Sequence, residues 1–111
     1  MALVAGAGIV VQSGQAGAAE MCFVTSKHQL YCGNEAPVTL WKYIGSSSPQ
    51  IKVDTLRTRQ STFTCWAKGK PHSGGNAIYY RAQGDDHGKY GFLAAVLVHT
   101  LTDPPSGLPK C

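Results

Sequence analysis

Four cysteines constrain this chain more than any other feature. They stand at Cys22, Cys32, Cys65 and Cys111, with 9, 32 and 45 residues between them. Those spacings contain no close cysteine pair of the kind that holds zinc. Residues 1–19 precede them, carry no charge, are rich in Ala, Gly and Val, and close on Ala16-Gly17-Ala18-Ala19. An apolar stretch ending in small residues is the pattern of a secretory signal. An even set of cysteines behind such a segment predicts disulfides and a secreted, extracellular location. The segment opens without the usual Lys or Arg, so it reads as a truncated signal peptide over 1–19. A disordered Ala/Gly tail and a buried first strand from Leu3 to Val11 are its other readings. Its apolar run is far shorter than the roughly 20 residues that a membrane-spanning helix needs.

Cleavage after Ala18 or Ala19 would leave about 92 residues, enough for one small domain. Domains of that size bury a limited share of their surface, so covalent staples matter. All charged residues follow Ala19, and the net charge is +4. That balance suits anionic surfaces such as wall polymers. The Lys and Arg residues are scattered, and export makes nucleic acid an unsuitable partner.

Proline and glycine interrupt every segment after Glu20, and the apolar runs are short and rich in Val, Ile, Thr and aromatic residues. This is the pattern of an all-β domain. Residues 22–25 and 29–32 read as a hairpin that sets Phe23 opposite Tyr31 and Val24 opposite Leu30. Its register would bring Cys22 and Cys32 to disulfide distance. Cys22–Cys32 with Cys65–Cys111 is therefore favoured over the other two connectivities. Further strands are expected over 38–43, 51–56, 63–67, 77–82 and 89–93. One helical turn is expected at 94–96, with a closing strand over 97–100. The Lys68–Asn76 stretch reads as a loop, and the Pro-rich tail, 101–111, as an extended segment tied back by Cys111.

The run from about Leu40 to Thr100 resembles a bacterial SH3-like (SH3b) domain. The resemblance rests on Ile78-Tyr79-Tyr80, on Gly88-Lys89-Tyr90-Gly91-Phe92-Leu93-Ala94-Ala95 and on the closing Val98-His99-Thr100. With Cys65, Thr100-Leu101-Thr102-Asp103-Pro104, Gly107-Leu108-Pro109 and Cys111, the chain is similar to small secreted actinobacterial SH3-like proteins. The resemblance implies a small barrel of five to six strands over 37–100. To it are added an N-terminal disulfide hairpin over 20–36 and the tail. It also implies a binding role, with peptidoglycan or its peptide bridges as the ligand class.

Catalytic constellations are weak. Asp85 and Asp86 are neighbours in a turn, where carboxylates point apart into water rather than at a common substrate. Ser73, His87 and Asp85 lack a Gly-x-Ser-x-Gly elbow. His28, His72, His87 and His99 show no metal-ligand spacing. The expected protein is therefore not an enzyme, has no metal or cofactor, and binds a ligand. Phe63, Tyr79 and Phe92 are assigned to the core. Trp41, Tyr43, Tyr80 and Tyr90 are assigned to a shallow surface groove flanked by Arg57 and Arg59, with Lys68 and Lys70 nearby. Aromatic and basic side chains on one face suit a peptide or glycan. Expected partners are peptidoglycan, an anionic wall polymer or another secreted protein. Alternatives are a subunit of a secreted antagonistic (toxin) complex and a protease inhibitor presenting Lys70 to Asn76.

Overall fold

A computed structural model describes residues 19–111. The expected signal segment, and the alternative strand from Leu3 to Val11, lie outside the described residues. Seven strands and one short 3₁₀ turn follow in chain order: β1 (Cys22–Val24), β2 (Leu30–Gly33), β3 (Val38–Trp41), β4 (Lys52–Leu56), β5 (Gln60–Lys68), β6 (Ile78–Gln83), β7 (Tyr90–Ala94) and η1 (Ala95–Leu97). They form one antiparallel sheet in the order β1-β2-β5-β6-β7-β3-β4. The sheet is not closed into a barrel. Among the described residues, no helix is long and apolar enough to cross a membrane.

The hairpin register matches the sequence reading. Cys22 faces Cys32, Phe23 faces Tyr31 and Val24 faces Leu30. The Thr25 side chain organises the turn by accepting from the Lys27 and Gln29 amides at 3.3 and 3.2 Å. Both expected disulfides are present, Cys22–Cys32 and Cys65–Cys111, with Cα separations of 3.9 and 5.0 Å. The hairpin joins the main sheet, because β2 pairs with β5 from Leu30↔Phe63 to Gly33↔Gln60.

Strand alternation sorts the side chains onto two faces. The inner face carries Leu30, Leu40, Leu56, Phe63, Tyr80, Ala82 and Leu93, all buried. Gly91 also faces inward. A Cβ there would lie 2.6 Å from Val53 Cγ2 and 2.8 Å from Leu40 Cβ, so β7 can cross β3 and β4 closely only with glycine at this point. Strand β5 serves two partners. Its first half pairs with β2 and its second half with β6, and the register shifts between Phe63 and Cys65 where it bends. β5 is accordingly longer than the expected 63–67, and β3 stops at Trp41, short of Tyr43.

The chain ends are drawn in by different means. The stretch expected as a closing strand makes only one antiparallel bridge, Asn34↔Val98, after η1. The tail makes a parallel bridge, Trp66↔Lys110, with backbone bonds from the Trp66 amide to the Pro109 carbonyl and from the Cys111 amide to the Trp66 carbonyl. Leu108 inserts into the core. The buried Tyr80 hydroxyl donates to Asp103 at 2.6 Å, and Asp103 also accepts from Thr100 and Asn76.

Candidate functional site

The outer face of the sheet places aromatic side chains beside polar ones. Trp41 of β3 lies directly across from Phe92 of β7, and Phe92 from Arg81 of β6. Two positions along, Tyr90 faces Gln83. The Arg81 guanidinium carbon sits over the Tyr90 ring, 4.2 Å from its centroid. Such a stack fixes both side chains and leaves Tyr90 exposed by 44%. Arg81 also reaches the Thr64 hydroxyl at 3.5 Å, which links the stack to β5.

Next to Tyr90, the sheet opens into a polar cleft of about 290 Å³, a size at the lower limit for ligand sites. It forms where β5 bends away from the end of β6. Its lining includes Gln29, Thr62, Thr64, Gln83 and Tyr90, with Asp85 at one end.

That end is built around a carboxylate the sequence did not single out. Asp54, almost fully buried on β4, accepts from the backbone amides of Thr55, Asp86, His87 and Lys89 at 2.7–3.1 Å. Burial by itself would raise its pKa. The amide donors of Lys89, Thr55, His87 and Asp86 outweigh burial and hold it at about 2. At neutral pH Asp54 is thus an anion around which the 84–89 turn is wrapped. Gly84 makes this possible, since a Cβ there would fall 2.1 Å from Asp54 Cγ. The neighbouring carboxylates close the same corner. Asp85 accepts from the Arg57 amide at 2.6 Å, and Asp86 accepts from the Arg57 side chain at 2.7 and 3.0 Å. The Arg57 bond lowers the Asp86 pKa, and Asp86 in turn holds the proton on Arg57 more firmly.

The structure therefore distributes the expected site residues unevenly. Trp41 and Tyr90 share the outer face. Tyr43 lies beyond the end of β3, exposed, with Lys42 Nζ 5.3 Å from its ring centroid. Arg57 is spent on Asp86. Arg59 is exposed and lines a second hollow, of about 480 Å³, with Glu20, Met21 and Tyr31. Tyr80 is not a groove residue. It pairs with Trp66 on the inner face and has no exposed surface. Burial and the Asp103 bond together raise its pKa. Phe92 is the converse correction, because alternation against the inward Gly91 and Leu93 turns it outward and leaves it half-buried. Tyr79 is buried as expected, but on the outer face. The Lys70–Asn76 loop covers it, with the Tyr79 hydroxyl donating to the Lys70 carbonyl at 3.0 Å and the His72 ring edge-on at 5.4 Å.

Arg81, Gln29, Thr62 and Gln83 were missed as site residues. They carry no motif, and only cross-strand register brings them together. Among the described residues, no group of three or more His, Cys, Asp or Glu is placed to hold a metal. The chain matches no family model, no curated protein and no solved structure.

Proposed function

We propose that this protein is a secreted, non-catalytic binding module built on a bent, SH3-like sheet. Its binding surface is the outer face formed by Trp41, Phe92, Arg81 and Tyr90. The observation that carries this reading is the cross-strand row Trp41–Phe92–Arg81 beside the Arg81–Tyr90 stack. Aromatic rings and an arginine on paired strands are preordered, so a ligand meets them at little entropic cost. The partner class is the bacterial cell wall, either peptidoglycan or an anionic wall polymer. The net charge of +4 supports attraction to such polymers, and two disulfides suit an oxidising exterior.

A second reading, an adaptor for another secreted protein such as a toxin-complex subunit, draws on the other end of the molecule. Met21 and Phe23 are each about half exposed beside the edge strand β1, and an uncovered strand edge invites pairing with another chain. The inhibitor alternative draws little support, because the Lys70–Asn76 loop is bonded down over Tyr79 instead of standing out.

Co-sedimentation of the oxidised protein with purified peptidoglycan tests the wall reading. The parent is expected to be retained, and Trp41→Ala and Arg81→Ala to weaken retention roughly tenfold each. Equal retention of parent and variants would move the site off this face. No wall retention, together with a stoichiometric complex recovered from culture supernatant, would establish the adaptor instead.

A further inference from the structure

The polar cleft beside Tyr90 is chemically distinct from the aromatic row. Its walls are hydroxyl and amide side chains, chiefly Gln29, Thr62, Thr64 and Gln83. Several are committed within the fold. The Gln83 amide donates to the Gly88 carbonyl at 2.9 Å, and Thr64 bonds to the Arg81 carbonyl and guanidinium. The side-chain amides of Gln29 and Gln83 and the hydroxyl-bearing Thr62 and Tyr90 line the same cleft. Asp85 is the only charged lining residue among the described residues, and the Arg57 and Thr58 amides occupy it at 2.6 and 3.3 Å. Among the described residues no Lys or Arg lines the cleft, so it has no dedicated cation for a phosphate or carboxylate.

We propose that this cleft is a sugar subsite for one residue of a neutral oligosaccharide chain. The inference rests on the wall-binding reading and names the part of the wall it would touch. Amides and hydroxyls both donate and accept, which is what neighbouring sugar hydroxyls require. Tyr90 supplies the remaining element. Its ring carries Arg81, which does not line the cleft, over one face. Tyr90 is exposed by 44%, and in this proposal its exposed ring surface packs on the apolar C–H side of a pyranose. The cleft volume of about 290 Å³ accommodates one sugar ring and its substituents rather than an extended polymer. Longer glycans would then continue from the cleft towards Phe92 and Trp41.

Titration of the ¹⁵N-labelled, oxidised protein with tri-N-acetylchitotriose, maltotriose and a peptidoglycan stem peptide, each at millimolar concentration, tests this. The expected result is shifts confined to the Gln29 and Gln83 side-chain amides and to the Thr62, Thr64 and Tyr90 backbone amides. A trisaccharide should cause them and the stem peptide should not. The N-acetylated and plain glucans separate amino-sugar glycans, the kind in bacterial walls and chitin, from other glycans. Gln29→Ala and Thr62→Val, both at positions that solvent reaches, should each weaken sugar binding roughly tenfold while leaving the parent spectrum elsewhere unchanged. Absence of cleft shifts with either trisaccharide, in a protein still retained by peptidoglycan through Trp41, would overturn the sugar subsite and leave the wall reading intact. Shifts caused by the stem peptide alone would also overturn it. Loss of both wall retention and sugar shifts would remove the two together.

Discussion

The two stapled ends of this domain are held by opposite physics. At the N-terminal end, the disulfide joins Cys22 of the three-residue β1 to its direct partner Cys32 on β2; Cys32 is buried, but the β1 side of the hairpin is largely exposed. Phe23 packs edge-on against Tyr31 at 5.9 Å but stays half exposed. The segment before β1 is fixed by polar contacts: Gln60 exchanges two hydrogen bonds with the Met21 backbone, and His99 bridges Glu20 and Glu35 at 2.7 and 2.6 Å. At the C-terminal end, the disulfide joins residues 46 apart. The tail it holds buries Leu108, receives the Trp66 indole N–H on the Leu108 carbonyl at 3.1 Å, and lays Lys110 over the Trp66 ring. One end depends on local pairing and charge, and the other on long-range closure and burial. A common bond thus serves different purposes, and the ends should fail under different conditions.

The largest effect expected is from removing the long-range staple. Cys65→Ala with Cys111→Ala should cost about 4 kcal/mol on the chain-entropy model, against about 3 kcal/mol for Cys22→Ala with Cys32→Ala. Urea unfolding of each pair measures both, and a larger loss from the short loop would break the comparison. Leu108→Ala comes next, at about 3 kcal/mol for emptying a buried site, read from the same unfolding midpoint. Phe23→Ala, its counterpart at the exposed end, should cost well under half as much. Tyr80→Phe is smaller than Leu108→Ala. It leaves Asp103 without its buried donor and should cost about 1–2 kcal/mol, seen also as faster amide exchange in the tail than in β1.

The smallest effect is the most selective. Both ring nitrogens of His99 face carboxylates, and the bonds to Glu35 and Glu20 raise its pKa above the ordinary 6.5. Its protonated form is therefore preferred in the folded state. The stabilisation is complete below about pH 6.5, where the unfolded chain is also protonated, and is lost as pH rises through the raised value. Amide exchange at Gly33, whose N–H donates to the Met21 carbonyl and whose carbonyl accepts from the His99 amide, should speed up across that range. The tail amides should not respond, and His99→Gln should abolish the pH dependence. Asp54 works in the reverse sense. Its depressed pKa makes its contribution present at neutral pH and lost as pH falls from 3.8 towards about 2, so acid should release the 84–89 turn first.

Much of this architecture was legible in local sequence. The 22–32 hairpin needs only alternation and a turn, and its register forces the cysteines together. The strands over 52–56, 78–83 and 90–94 announce themselves by β-branched and aromatic residues between glycine-rich turns. The site was less legible. Tyr79 and Tyr80 are adjacent and chemically identical, so alternation assigns them to opposite faces without saying which face is covered. Both are buried, one by the core and the other by the Lys70–Asn76 loop. Phe92 looked like a core residue because it is large and apolar, yet Gly91 takes the inward position by virtue of having no side chain. Asp54 gave no signal at all. An aspartate in the middle of a strand becomes the centre of a turn 30 residues later only when the sheet brings β4 to that turn.

By itself, the sequence determined the all-β class and the punctuation of the strands, and it favoured the Cys22–Cys32 and Cys65–Cys111 pairing over two others, because the class and the hairpin follow from contacts between near neighbours. The tertiary structure decided which aromatic residues are inside, what Arg57 grips, and that Tyr90, Arg81 and a row of amides and hydroxyls share one surface. Those facts depend on cross-strand register and on the bend in β5, and register is a property of several strands at once that no single segment encodes.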